Sequence, residues 1–325
     1  FRYSGTDPGT CDDTFGSRAP LSGGDSLGSG TSPVSYSESI SGLTSGATYY
    51  YCAIVQSAEG TAFGDVLSFT TDGPPTVTTD AASDVTSTSV TLNGSASPNG
   101  ATAYGYFRYS TTNPGACDDT FGTRWPLYTY QDNSLGSGST PVAYSRSLSG
   151  LQPGTTYYYC ALGRNSYGTS WGTVQSFTTD PNAPVVSTNS ASLLTGTTAQ
   201  LNGSANPGGA VTTAWFRYAT ASPGTCNDTF GTRAPASGGN SLGSGTGYVA
   251  YSEPITGLSP GTTYYYCAIA QNSEGTAFGS VVSFTTPLPP TATTNTPTSV
   301  TNTSATLRGS GNPNGSAATG WFRYS

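Results

Sequence analysis

The chain is 325 residues long, enough for two or three domains, and its formal net charge of -7 is set against a basic complement of ten Arg. It contains no Met, Lys or His, which removes the usual general base, the usual neutral metal ligand and any lysine-rich patch that would displace counterions from nucleic acid. No apolar run reaches the roughly 18 residues of a membrane-spanning helix.

In chain order, the sequence opens in mid-pattern at Phe1-Arg2-Tyr3-Ser4, and the tetrapeptide returns, ending in Ser or Ala, at Phe107, Phe216 and Phe322. A Cys follows each of the first three copies (Cys11, Cys117, Cys226), and a second Cys follows further on (Cys52, Cys160, Cys267). Self-similarity of this kind makes the chain one unit repeated. Because both ends fall at the same point of the unit, the expectation is an excerpt of a longer periodic polypeptide or a subunit joined head to tail to copies of itself. The overlap of residues 322–325 with residues 1–4 favours the continuous polypeptide.

One whole unit, residues 74–179, is expected to be all-β. Thr76-Val77-Thr78-Thr79 is a first strand and Ser89-Val90-Thr91-Leu92-Asn93-Gly94 an alternating second, followed by a Pro98-Asn99-Gly100 turn. Residues 104–109 form a third strand, and a loop rich in Gly, Ser, Asp and Pro then runs to about residue 140, long enough to need elements or a purpose of its own. Strands return at 142–148, in the aromatic run from Thr155, and at 174–179. Seven or so short strands fit a two-sheet sandwich. The expected division is a partial domain at 1–71, complete domains at 74–179 and 181–286, and a partial domain at 289–325. The linkers (such as Thr71-Asp72-Gly73-Pro74-Pro75) are short and proline-bearing, so neighbouring units are expected to hold a nearly fixed angle.

The stretch Leu151-Gln152-Pro153-Gly154-Thr155-Thr156-Tyr157 resembles the loop before the sixth strand of fibronectin type III domains, and residues 258–264 and 43–49 match it. With Ser-Val-Thr-Leu-Asn-Gly and Ser-Phe-Thr-Thr, the frame is similar to fibronectin type III-like repeats of secreted and surface-attached bacterial and archaeal proteins. The resemblance implies tandem β-sandwich domains in which Tyr49, Tyr157 and Tyr264 are corner tyrosines bonded back to nearby backbone. It also implies spacers, adhesive stalks or accessory modules; the fold alone does not choose among them.

If the corner tyrosine faces the core, alternation turns Cys160 to the opposite face. The third strand is the expected neighbour of the aromatic strand and the long loop leaves from it, so the simplest pairing is Cys117 with Cys160, Cys11 with Cys52 and Cys226 with Cys267. Closing such a loop of about 42 residues is worth roughly 4 kcal/mol in the chain-entropy model. Poor spacing and the lack of His count against a metal site, and reactive free thiols are the remaining rival.

The Cys-Asp-Asp-Thr-Phe-Gly-Ser/Thr-Arg run is expected to hold an Asx turn, with Asp13, Asp119 and Asp228 pairing to Arg18, Arg124 and Arg233. A Ca²⁺ site using Asp12, Asp13, Asp118 and Asp119 is the weaker alternative, since Asn227 replaces the first acid in the third copy. Trp125, Tyr128 and Tyr130 form an aromatic cluster in one loop and are candidates for glycan or partner contact, while Trp171, Trp215 and Trp321 are expected in sheet packing. Asn93, Asn202, Asn227, Asn302 and Asn314 lie in N-x-Ser/Thr sequons and are candidate glycan carriers. Nothing supports catalysis: there is no nucleophile elbow or phosphate loop. Three functions remain: an extracellular filament or stalk, an adhesin or carbohydrate-binding array, and an accessory region of a secreted hydrolase. The expected partners are copies of the chain itself and covalent glycans, with no nucleic acid and no membrane span.

Overall fold

The structure is a computed structural model that describes residues 1–315 and 317–325. Among the described residues there is no α-helix, one short 3-10 turn at Thr129–Gln131, and otherwise strands and connections. The chain forms two compact units, one of residues 1–150 with 156–178 and the other of residues 151–155 with 179–325. Each holds one complete pair of sheets.

In the first unit a three-stranded antiparallel sheet runs in the order Val142–Ser149, Ser89–Ser97, Thr76–Ser83. Its partner has Thr123–Trp125, Ala103–Ser110, Thr156–Asn165 and Gly168–Trp171 in that order, with Asn133–Gly136 also on Ala103–Ser110 and Gln175–Thr178 also on Thr156–Asn165. Thr76–Ser83, Ser89–Ser97 and Val142–Ser149 against Ala103–Ser110, Thr156–Asn165 and Gln175–Thr178 is the fibronectin type III-like sandwich. Alternation builds it: in Ser89–Ser97 every second side chain, from Val90 through Leu92 to Ala96, is buried. Gly94 is needed where the sheets approach, because a Cβ there would stand 2.5 Å from that of Ala161. Phe107 and Tyr144 pack at 5.2 Å between ring centroids, and Tyr157 stacks on Phe177 at 5.5 Å.

Polar bonds also join the sheets. The Ala161 amide donates to Thr79 Oγ1 (3.0 Å) and the Tyr159 hydroxyl donates to the Asp80 carbonyl (2.5 Å). Residues 1–71 of the same unit add a sheet in the order Ser17–Arg18, Arg2–Ser4, Thr48–Cys52, Leu67–Thr70 and a small Ile54–Ser57/Gly60–Phe63 ribbon. Residues 34–40, which match the Val142–Ser149 strand in sequence, form no strand.

The second unit repeats the plan, with Val185–Ser192, Thr198–Asn206, Val249–Thr256 against Thr232–Ala234, Thr212–Ala219, Thr263–Asn272, Gly275–Phe278. Its core joins Leu201, Phe216, Tyr251, Ile255, Tyr266 and Phe284. Ala268 N–H donates to Thr188 Oγ1 and Tyr266 O–H donates to the Asn189 carbonyl. A separate hairpin, Thr291–Thr298 with Thr306–Asn312, is exposed along its whole length.

Burial pushes the Tyr159 and Tyr266 phenols up to about 12, outweighing backbone bonds that favour ionisation. A folded-state value above the unfolded one near 10 means that this stabilisation is complete below about pH 10 and is lost as pH rises towards 12. A near-ultraviolet phenolate titration should therefore show a late group of tyrosines ionising together with loss of the circular dichroism of the fold. Ionisation of every tyrosine near pH 10 with the fold intact would contradict this burial.

Candidate functional site

The aromatic strand has two buried faces. Tyr157, Tyr159 and Ala161 point into the sandwich, while Cys160 and Leu162 point the other way and are equally inaccessible. There they meet Tyr106, Cys117, Phe121 and Val174 in a second small core. The other unit builds its version from Trp215, Cys226, Cys267, Ile269, Phe230 and Val281. The long loop forms the lid of this second core. It lies back along the third strand through Thr123–Trp125 and Asn133–Gly136 and is fastened by Cys117–Cys160, with a Cα separation of 6.2 Å. Cys11–Cys52 and Cys226–Cys267 are linked at 6.0 and 5.9 Å, and no described cysteine is free.

Behind each loop cysteine is an Asx turn. Asp118 Oδ1 accepts from the amides of Thr120 and Phe121 at 2.6 and 2.9 Å and from the Thr120 hydroxyl; Asp12 and Asn227 do the same for Thr14–Phe15 and Thr229–Phe230. Hydrogen bonds from the Thr side chain, then from the two amides, hold the Asp12 and Asp118 carboxyls below the usual carboxylate range.

The second acid does not take the expected partner. Asp13, Asp119 and Asp228 pair with Arg2, Arg108 and Arg217 at 3.1, 3.0 and 3.0 Å, rather than with Arg18, Arg124 and Arg233. The reason is register: Arg108 is directly opposite Cys160, Arg2 opposite Cys52 and Arg217 opposite Cys267. Directly paired residues share a face, so the strand Arg lies beneath the loop that the cysteine fastens. Alternation along Phe-Arg-Tyr carries that signal in the sequence. With the Asp12 and Asp118 oxygens taken by turn donors and Asp13 and Asp119 by Arg, no group of three or more acidic or Cys side chains converges among the described residues.

Arg18 and Arg233 instead cap loop carbonyls at Leu21, Gly23, Pro235 and Gly238. Arg124 differs. It lies over the Tyr106 ring at 4.1 Å and forms two bonds, 2.6 and 2.7 Å, to the wholly buried Asp132 carboxylate, which Arg164 also contacts at 3.0 Å. This acid belongs to the longer loop that carries the aromatic cluster. In that loop the Trp125 indole donates to the Ser147 carbonyl (3.0 Å), and Tyr128 and Tyr130 stack on each other at 5.5 Å while remaining 58% and 79% exposed. Trp215 is buried and donates to Asp228 Oδ1, whereas Trp171 is half-exposed and Trp321 lies outside any strand, open to solvent. The expectation of sheet packing is thus met at Trp215 and not at Trp321, which belongs to no described strand.

The amides of Thr44 and Ser259 donate to the hydroxyls of Tyr49 and Tyr264 at 2.9 Å, and Tyr157 occupies the matching buried strand position. A threonine at the end of each last strand locks the same corner. Thr71, Thr179 and Thr286 donate to the carbonyls of Thr44, Gln152 and Ser259 and accept from the amides of Ala47, Thr155 and Thr262.

Among the sequons, Asn93, Asn202 and Asn314 already use their amide nitrogen on the carbonyls of Ala81, Ser190 and Pro289, and Asn227 is folded into its Asx turn. Asn302 is exposed in a connection. The third sequon residue after Asn314, Ser316, lies outside the described residues.

No protein-family model matches the chain, and no curated protein sequence does. Among solved structures it is similar to the FN1–FN3 domains of chicken CNTN1, 15% identical over 75% of this chain and 76% of that one, with a TM-score of 0.26. At that score the sandwich assignment rests on the strand order and cores described above. No helix among the described residues is long and apolar enough to cross a membrane.

Replacing Cys117 and Cys160 together by Ser should lower the unfolding free energy of the first unit by about 3 to 4 kcal/mol and open residues 111–140 to proteolysis. Asp132→Ala leaves two arginines facing an emptied site and should cost about 3 kcal/mol. Denaturant melts of these variants that overlay the parent would show that the lid is not fastened in this way.

Proposed function

We propose that the chain is a structural repeat segment of an extracellular filament or cell-surface stalk, without catalysis. Its consecutive fibronectin type III-like domains are residues 74–179 and 181–286, flanked by partial domains at 1–71 and 289–325. The observation that supports this reading best is how the linkers are held. Asp72 and Gly73 are bonded on both sides: Asp72 accepts from the Gly46 amide, Gly73 donates to the Asn99 carbonyl, and Asn165 Nδ2 donates to the carbonyls of Gly73 (2.7 Å) and Pro98 (3.0 Å). In the second unit Asn272 does the same for Asn182 and Pro207, both at 2.8 Å. A tether between independent binding modules would have no use for these bonds. Three disulfides suit an oxidising exterior.

A second reading, an adhesive or glycan-binding array, is favoured by the exposed Tyr128–Tyr130 stack alone, and only one copy of the loop carries it.

Antibodies against the exposed 128–131 loop should decorate filaments or surface projections at regular intervals on intact cells. Labelling confined to material inside the cell would sink the proposal. Asn165→Ala and Asn272→Ala should raise amide hydrogen exchange at the linkers at least tenfold while leaving the sandwich strands protected; unchanged exchange would mean the linkers are held by something else.

A further inference from the structure

The middle repeat differs from its neighbours in a group of residues that converge. Trp125 stands where the others have Ala19 and Ala234, Arg146 where they have Glu38 and Glu253, and Arg164 where they have Gln56 and Gln271. The segment 126–133 is eight residues long, against six at 20–25 and 235–240, and the added length brings in Tyr128, Tyr130 and Asp132. These positions come from three separate stretches of sequence, yet the fold gathers them in one place.

That place is an open groove of about 740 Å3 between the long loop and the strand Val142–Ser149. Trp125, Tyr130 and Gln131 line it from the loop, and Ser145, Arg146 and Ser147 from the strand. The Trp125 indole N–H is fixed on the Ser147 carbonyl, and Tyr128 stacks on Tyr130, so both groove aromatics are braced before a ligand arrives.

Three of the ten arginines lie here, Arg124, Arg146 and Arg164, against the one carboxylate of Asp132. Both Asp132 oxygens are occupied by Arg124 and Arg164. Among the described residues no acidic side chain pairs with Arg146. It donates through Nη2 to the Gln131 carbonyl, and its Nε is buried with no acceptor. A guanidinium N–H in that state is costly, and a carboxylate matches its planar fork. In a chain of net charge -7 the surplus positive charge here is local, and it reverses the sign that Glu38 and Glu253 give the other repeats.

We propose that this groove binds an acidic polysaccharide. One pyranose ring lies against Trp125 and Tyr130, and the carboxylate of a uronic acid residue is received by the Arg146 guanidinium. An aromatic ring suits the apolar C–H face of a sugar, while the hydroxyls on the sugar's rim need polar groups, which Gln131, Ser145 and Ser147 supply. This deepens the glycan-binding reading of the loop and rests on it; the stalk reading is independent of it.

Titration calorimetry of the full-length chain at low salt tests the assignment, with an oligogalacturonate, a neutral malto-oligosaccharide of equal length and polyglutamate as probes. Oligogalacturonate should bind at least tenfold more tightly than either of the others, and added salt should weaken it. Arg146→Glu should abolish that preference and Arg146→Gln should reduce it at least tenfold. Trp125→Ala should weaken both saccharides, while Tyr167→Ala, outside the groove, should change nothing. Glu and Ala already stand at these two positions in the neighbouring repeats, and a thermal melt of each variant checks that it folds. Equal binding of the two saccharides, lost in Trp125→Ala, would keep the glycan reading and overturn the carboxylate assignment. No saccharide binding by the parent overturns both. Polyglutamate binding as tight as oligogalacturonate, or an acidic preference that survives Arg146→Glu in a folded variant, also overturns the proposal.

Discussion

The pairing of Phe-Arg-Tyr with Tyr-Cys-Ala in the middle of the larger sheet is the constraint on which everything else hangs. It puts Phe107 beside Ala161 and Arg108 beside Cys160, and so assigns one chemistry to each face. The inward face is aromatic and joins the sandwich. The outward face carries a cysteine, which packs readily among apolar groups, and a guanidinium, which cannot be covered without an acidic or carbonyl partner. The loop supplies partners for both, a cysteine for one and an aspartate for the other, spaced so that an Asx turn between them aims the carboxylate at the arginine. The lid is therefore specified by covalent and ionic contacts before its few apolar side chains add anything.

This arrangement suits a sequence poor in large aliphatics. Only about a third of the residues are hydrophobic, and alanine, glycine and threonine fill many buried positions. Small side chains let the sheets come close, as at Gly94, and threonine hydroxyls then bond backbone groups inside the sandwich, as Thr79 does for Ala161. A buried hydroxyl with its partner costs little, while one that loses its partner costs about 1 to 3 kcal/mol. The corner threonines at Thr71, Thr179 and Thr286 follow the same logic, closing a turn whose backbone groups have no ladder to join. A second core clipped by a disulfide adds burial on the sheet face that would otherwise meet water.

Much of this was legible in the sequence, for physical reasons. Period-two alternation gave the strands, the turn before Tyr264 marked the corner, and the recurrence of two cysteines per unit pointed to the loop. Sequence proximity points Asp119 to Arg124, but cross-strand register puts Arg108 under the loop instead, and register is set only once both neighbouring strands are placed. The Asp132 cluster was invisible for a related reason: its two arginines come from strands far apart in sequence, and Arg164 has glutamine in the matching places. Residues 34–40 match Val142–Ser149 in sequence yet form no strand, because Val142–Ser149 is held by Ser89–Ser97 and no described strand pairs with residues 34–40: alternation alone does not make a strand without a neighbour.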